Sequence, residues 1–195
     1  WHTVDIGGAP QPAAKDRFEE GLTIPICKIV EGGEESRVVM DFLEENLRQP
    51  DETLGDLRAQ FAAYRDCREK LLTLLDEEGL ADFQAVADEI IARSERTMRA
   101  AIGAVPDGDY RDGFTIDGVD QPLRIECTVT VRGEQLSVDF AGTSEQVPWP
   151  INSVLNYTQA YARYAVKCLL DPEAPNNAGT LAPISVDAPA GSLLN

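Results

Sequence analysis

Histidine is almost missing from this sequence: His2 is the single one in 195 residues. A Ser-His-Asp arrangement needs a histidine as its base, so any such site would hang on His2 alone. The four cysteines, Cys27, Cys67, Cys127 and Cys168, never fall into a CxxC pair. That removes the spacing of a structural zinc site and leaves reduced thiols as the expectation. Basic residues are few beside acidic ones, 17 Lys+Arg against 34 Asp+Glu, for a net charge of −17. This balance argues against a nucleic-acid partner, which wants a basic face, and against docking on an anionic membrane. No apolar run approaches the length of a membrane span, and nothing has the form of a secretory leader. The expected compartment is the cytoplasm. No GxxxxGK[ST] segment occurs, and Gly7-Gly8 and Gly32-Gly33 are too short to cradle a triphosphate.

What remains is an ordinary globular composition, 43% hydrophobic and 26% charged, in a chain long enough to bury a core. Residues 1–35 are rich in glycine and proline, with a short strand predicted over Ile26–Val30 and a turn at Glu31-Gly32-Gly33. A first helix is predicted over Ser36–Leu47, with Val39, Phe42 and Leu43 on its apolar face and Pro50 as its stop. Asp51 then caps a long second helix with the stripe Leu57, Phe61, Tyr64, Leu71, Leu75, closed by Gly79. Asp82 begins a third, with Phe83, Val86, Ile90, Met98 and Ile102. Two long amphipathic helices joined by so short a turn predict an antiparallel hairpin.

The pattern changes after Gly108. Tyr110–Ile116, Leu123–Arg132 and Gln135–Phe140 alternate apolar and polar residues and are separated by turn signals, as in an antiparallel meander with one wet face. A fourth helix over Ser153–Leu170 has Val154, Tyr157, Tyr161, Ala165 and Cys168 as its expected inner face, and Ile184–Asp187 reads as a last strand. The expected class is α+β: a long antiparallel helical hairpin followed by an antiparallel β-meander and a further helix. The expected division is 1–108, loop, strand and helical block, and 109–195, sheet with helix.

Three groups of residues carry chemistry. His2 and Asp5 offer an imidazole and a carboxylate, both metal ligands, just before Gly7-Gly8. Two donors do not fill a coordination shell, so the rest must come from elsewhere. Arg48, in Asn46-Leu47-Arg48-Gln49-Pro50, and Asp56 either fix the junction before the long helix or meet a substrate carboxylate or another subunit. In Asp139-Phe140-Ala141-Gly142-Thr143-Ser144 a strand ends in a turn that can present backbone N–H groups and two hydroxyls to an anion. Asn152, Asn156 and Asn176 follow and are expected within reach of that region. They can bind a lactam or imide, or serve as caps and turns.

Taken in order, seven segments resemble the hydantoinase B/oxoprolinase family. They are His2–Gly8, Phe18–Pro25, Asn46–Pro50, Gly55–Gln60, Pro106–Tyr110, Asp139–Ser144 and Pro175–Gly179. That family includes the B-type subunit of ATP-dependent N-methylhydantoinase, the C-terminal half of 5-oxoprolinase and a subunit of acetone- and acetophenone-type carboxylases. The resemblance implies an internal fragment of a larger B-type subunit that hydrolyses a cyclic amide C–N bond, the fragment alone being inactive. The alternatives are a ketone-carboxylase subunit or a non-catalytic interface module. It implies a divalent metal ion of the Zn or Mn type on His2 and Asp5 in the intact subunit. It also implies ATP and Mg on a partner, a hydantoinase A-type ATP-binding subunit or fused domain, with a small cyclic amide or ketone as substrate. Arg48, Asp139, Thr143, Ser144, Asn152, Asn156 and Asn176 are the substrate-binding candidates, and no catalytic residue is assigned.

Overall fold

The computed structural model describes residues 22–47 and 49–195. The chain forms two compact units that meet in sequence between Ala81 and Asp82. The first holds a two-residue-per-strand hairpin, β1 (Val30–Glu31) and β2 (Glu34–Glu35), followed by helices α1 (Arg37–Asn46) and α2 (Pro50–Glu77). Gly32 and Gly33 make the hairpin turn at φ of 63° and 92°, a backbone region that L side chains avoid. The strand is thus shorter and later than the predicted Ile26–Val30, and Ile26 is fully exposed. Pro50 does not stop α1. It opens α2 as its first residue, where its missing N–H costs nothing and its fixed φ suits the helix.

Met40 and Leu43 of α1 pack with Leu54 and Leu57 of α2 in one buried cluster, with Val39 and Phe61 at its margin. Phe42, expected inside, is half exposed. An ion pair from Arg58 to Glu35, 3.3 Å, joins α2 to the hairpin. Beyond Phe61 the stripe on α2 is uncovered: Tyr64 is 67% exposed and Leu71 43%.

The second unit opens with α3 (Gln84–Gly103), where the Asp82 carboxylate accepts the Gln84 N–H at 2.9 Å. Strands β3 (Gly108–Ile116), β4 (Leu123–Arg132) and β5 (Gln135–Asp139) follow as an antiparallel meander. Helix α4 (Leu155–Leu170), the one-turn α5 (Ala178–Leu181) and β6 (Ile184–Asp187) complete the unit. The sheet order is β3-β4-β5-β6, and β6 lies parallel to β5, which α4 makes possible by crossing over. Met98 and Ile102 of α3 are fully buried against Val131, Leu136, Val138, Ile184 and Val186. The apolar end of α3 therefore belongs to the sheet's core, while Phe83 and Ile90 at its start are exposed.

Helix α4 overturns the expected inner face. Val154, Tyr157, Tyr161 and Cys168 are exposed, and Ala162, Val166 and Leu170 pack on the core. The reason is the outer edge of β6. Arg163 Nε donates to the Ile184 carbonyl at 3.0 Å and Gln159 Nε2 to the Val186 carbonyl at 3.1 Å. Polar side chains on the buried flank of α4 satisfy carbonyls that an edge strand leaves open. A reading by hydrophobicity alone puts that flank outside.

Candidate functional site

Of the sequence candidates, His2, Asp5 and Arg48 lie outside the described residues. Asp56 lies exposed on α2, and the others fall in two places. Asp139 ends β5 on the sheet's wet face, and its Oδ1 accepts the Ala141 N–H at 2.8 Å, shaping the turn at Gly142, φ 94°. The two hydroxyls after it face inward to the sheet. Thr143 Oγ1 accepts the Glu126 N–H at 3.1 Å and donates to the Glu126 carbonyl at 3.2 Å. Ser144 Oγ accepts the Arg124 N–H at 2.8 Å, while its own N–H donates to the Arg124 carbonyl at 2.9 Å. Side chains here continue the ladder where β5 has left β4, so both hydroxyls are committed to backbone groups.

The Ser144 carbonyl accepts from Leu193, and the Leu193 carbonyl accepts from Ser153. The segment after β6 thus draws Thr143, Ser144 and the start of α4 together. Asn152 lies in the same group. Its Oδ1 accepts from Val147 and its Nδ2 donates to the carbonyls of Val147 and Trp149, which fixes that turn. Trp149 Nε1 in turn donates to Asp120 at 2.6 Å. Asn156 is exposed in the first turn of α4, and its amide makes no hydrogen bond among the described residues.

Asn176 is not in that group. The loop carrying it is tied to the far end of α4, where Lys167 Nζ donates to the Pro172 carbonyl at 2.8 Å. About 20 Å of helix separates that end from Asn156, at 1.5 Å per residue. Its neighbour Asn177 does the binding work there: Oδ1 caps α5 through Thr180 N–H, and Nδ2 donates to Ser94 Oγ on α3 at 2.9 Å. In the Pro175–Gly179 segment the sequence pointed to Asn176, and the contacts fall to Asn177.

Clefts open on two sides of this unit's sheet-and-helix body, among others of its surface. A cleft of about 240 Å³ on the wet face is lined by Thr130, Arg132, Gln135, Ser137 and Ser185. Arg132 is already engaged by Asp109 at 2.8 Å, and hydrogen bonds first from Thr130 and then from Arg132 hold the Asp109 carboxyl below its ordinary value. A larger cleft of about 500 Å³ lies between α3 and the loop after α4. Neither is legible in the sequence, because each is walled by segments far apart along the chain.

Cys127 is half-buried on the sheet, directly opposite Asp112 on β3. Burial, then the charges of Asp112 and Asp139, push its thiol up. Cys27, Cys67 and Cys168 are exposed. We expect iodoacetamide at pH 8 to label these three first and Cys127 last, read by peptide mass spectrometry over time. Cys127 labelling as early as the others would contradict its placement. Among the described residues no group of three or more His, Cys, Asp or Glu is placed to hold a metal ion. No described helix is long and apolar enough to cross a membrane.

The chain is similar to several known proteins. It is 37% identical over 213 residues to the B-type subunit of a putative D-/L-hydantoinase from Pseudomonas sp. (strain NS671), covering all of this chain and 36% of that protein. The crystal structure of ATP-dependent caprolactamase from Pseudomonas jessenii superposes with a TM-score of 0.86 at 30% identity, over 97% of this chain and 34% of that one. A nucleotide-free acetone carboxylase shares the fold, TM-score 0.84 at 19% identity, over all of this chain and 28% of that one. The chain thus spans about a third of the length of these proteins. The α+β arrangement of this chain is shared with the caprolactamase and the acetone carboxylase, the family match runs from residue 1 to residue 195, and the chain belongs to the hydantoinase B/oxoprolinase family.

Proposed function

We propose that this chain is part of the B-type subunit of an enzyme that opens a cyclic amide ring in a reaction driven by ATP. One observation carries the reading. Identity of 30% or more along nearly the whole chain is to proteins named for cyclic-amide hydrolysis, against 19% to the carboxylase. An amide carbonyl is a weak electrophile, and phosphorylating its oxygen turns it into a good one. We assign that step to a hydantoinase A-type partner or fused domain, as the family resemblance implies. The B-type subunit then carries the second half of the reaction in a shielded cavity.

His2 and Asp5 are the pair that would hold a divalent ion of the Zn or Mn type. Their donor set, one imidazole nitrogen and one carboxylate, suits either metal and leaves the remaining positions to donors elsewhere in the intact subunit. When bound, such an ion supplies a Lewis acid and lowers the pKa of water. Within the second unit the roles of the candidate residues are positional. Thr143 and Ser144 pin the turn after β5 to β4, Asn152 pins the turn before α4, and the exposed Asp139 and Asn156 are left facing solvent near that turn and at the start of α4.

The test is the intact subunit co-expressed with its A-type partner and assayed for ATP-dependent opening of hydantoin, 5-oxoproline and caprolactam. We expect ring opening, loss of bound metal by elemental analysis in His2→Ala and Asp5→Ala, and retained helicity by circular dichroism in both. Bicarbonate-dependent carboxylation of acetone without ring opening would favour the second reading, to which the shared fold with acetone carboxylase points. Full metal content in both variants would remove His2 and Asp5 from the site.

A further inference from the structure

Helix α3 carries three arginines, and they are treated differently. Arg96 pairs with Glu89 at 2.9 Å and Arg99 with Glu95 at 2.6 Å, both along the helix itself. Arg93 forms no ion pair among the described residues, although the chain holds twice as many acids as bases. It lines the 500 Å³ cleft, on a face of α3 shared with Ile90 and Thr97. The opposite wall carries two carboxylates, Asp171 and Glu173, with Ala174 and Pro175 between α3 and the mouth of the loop. Neither carboxylate comes within 4.0 Å of the Arg93 guanidinium.

Arg93 and Glu173 are exposed side chains, and what keeps the cleft open is the backbone that carries them. Here both walls are fixed by other contacts. The Asp171 N–H donates to the Lys167 carbonyl at 2.9 Å, and Ala174 N–H to the Asp171 carbonyl at 3.2 Å. Lys167, 8% exposed, reaches the Pro172 carbonyl. Asn177 ties the loop to Ser94 on α3, and Thr180 Oγ1 donates to the Pro175 carbonyl at 2.7 Å. The loop cannot collapse onto Arg93 without breaking this set. The result is a preformed slot with Arg93 on one wall, two carboxylates on the other with the Lys167 ammonium tied back to the Pro172 carbonyl beside them, and an apolar lining from Ile90, Ala174 and Pro175, wide enough for a small molecule.

We propose that this cleft binds a short zwitterion, an amino acid whose ammonium and carboxylate are separated by a few methylenes. The carboxylate takes the forked donors of Arg93, the ammonium lies toward Asp171 and Glu173, and the methylenes cross Ile90 and Pro175. A molecule with one charge satisfies one wall and leaves the other unpaired, so the arrangement selects for both. The charge layout stands by itself. That such a zwitterion is also what hydrolysis of a lactam leaves behind, an amine and a carboxylate at the two ends of the opened ring, rests on the reading proposed above.

The test uses the 195-residue chain, isotope-labelled, titrated with 6-aminohexanoate, hexanoate and hexylamine and followed by NMR at the Arg93 side chain and the Thr97 methyl. We expect 6-aminohexanoate to bind at least about tenfold more tightly than either singly charged analogue, and Arg93→Gln and Glu173→Gln each to weaken it about tenfold while the other resonances keep their dispersion. Equal affinity for hexanoate or hexylamine, unchanged binding in both variants, or no saturable shift would each overturn the proposal. Binding by this chain with no ring opening by the intact enzyme would leave the cleft standing and remove the reaction. Ring opening with no binding here would do the reverse.

Discussion

Replacing Gly179 with alanine is expected to cost about 3 kcal/mol of stability, at the upper end of the usual cost of overpacking. A Cβ built there would clash with the Ile91 carbonyl oxygen and lie 2.8 Å from its carbon and 3.1 Å from the Glu95 nitrogen. All three are backbone atoms of α3, which cannot swing aside as a side chain can. The single turn of α5 is therefore laid directly on α3, and only a residue without a Cβ fits. Relief means lifting α5 away, which also strains the Asn177–Ser94 bond and the Thr180 contacts that close the loop. For a chain of this size that loss is a fall in Tm of roughly 6–12 °C. Gly55→Ala is the control. Gly55 sits inside α2 with nothing within 4 Å of its would-be Cβ, so alanine there should raise stability by about 0.5–1 kcal/mol. Thermal or urea unfolding of both variants settles the matter, and an unchanged Gly179→Ala would refute the close approach.

Gly179 also marks where sequence reasoning stops. The helices, their break at Gly79, and the three antiparallel strands follow from periodicity and turn residues, because those signals are local. The parallel seat of β6 and the reversed face of α4 do not. Arg163 and Gln159 look like a solvent face until an edge strand is placed beside them, and Tyr157 and Tyr161 look like core until that flank is filled. The same holds for the candidate site. Asp139–Ser144 and Pro175–Gly179 stand out as unusual segments, but what each residue does depends on what lies opposite. Thr143 and Ser144 turn out to serve the backbone of β4, and Gly179 serves the approach of α5. Arg93 carries no local signal at all. Its interest comes from Asp171 and Glu173, nearly eighty residues later in the chain.

Truncating Ile102 to alanine should cost about 4 kcal/mol, within the usual span for removing a fully buried aliphatic side chain. Ile102 is 0% exposed and sits with Met98 among Val131, Leu136, Ile184 and Val186, so it joins α3 to three strands at once. The cavity left has strands on one side and helices on the other, neither able to close over it without moving the sheet. Leu71→Ala on α2 is the informative comparison. By pattern alone both residues have the same standing, one position each in an apolar stripe of a long helix. Leu71 is 43% exposed and outside the buried cluster of its unit, so its loss should cost under about 1 kcal/mol. Urea unfolding of the two variants separates a stripe that is core from a stripe that is surface. Comparable losses at Ile102 and Leu71 would mean that α2 buries its outer stripe in solution.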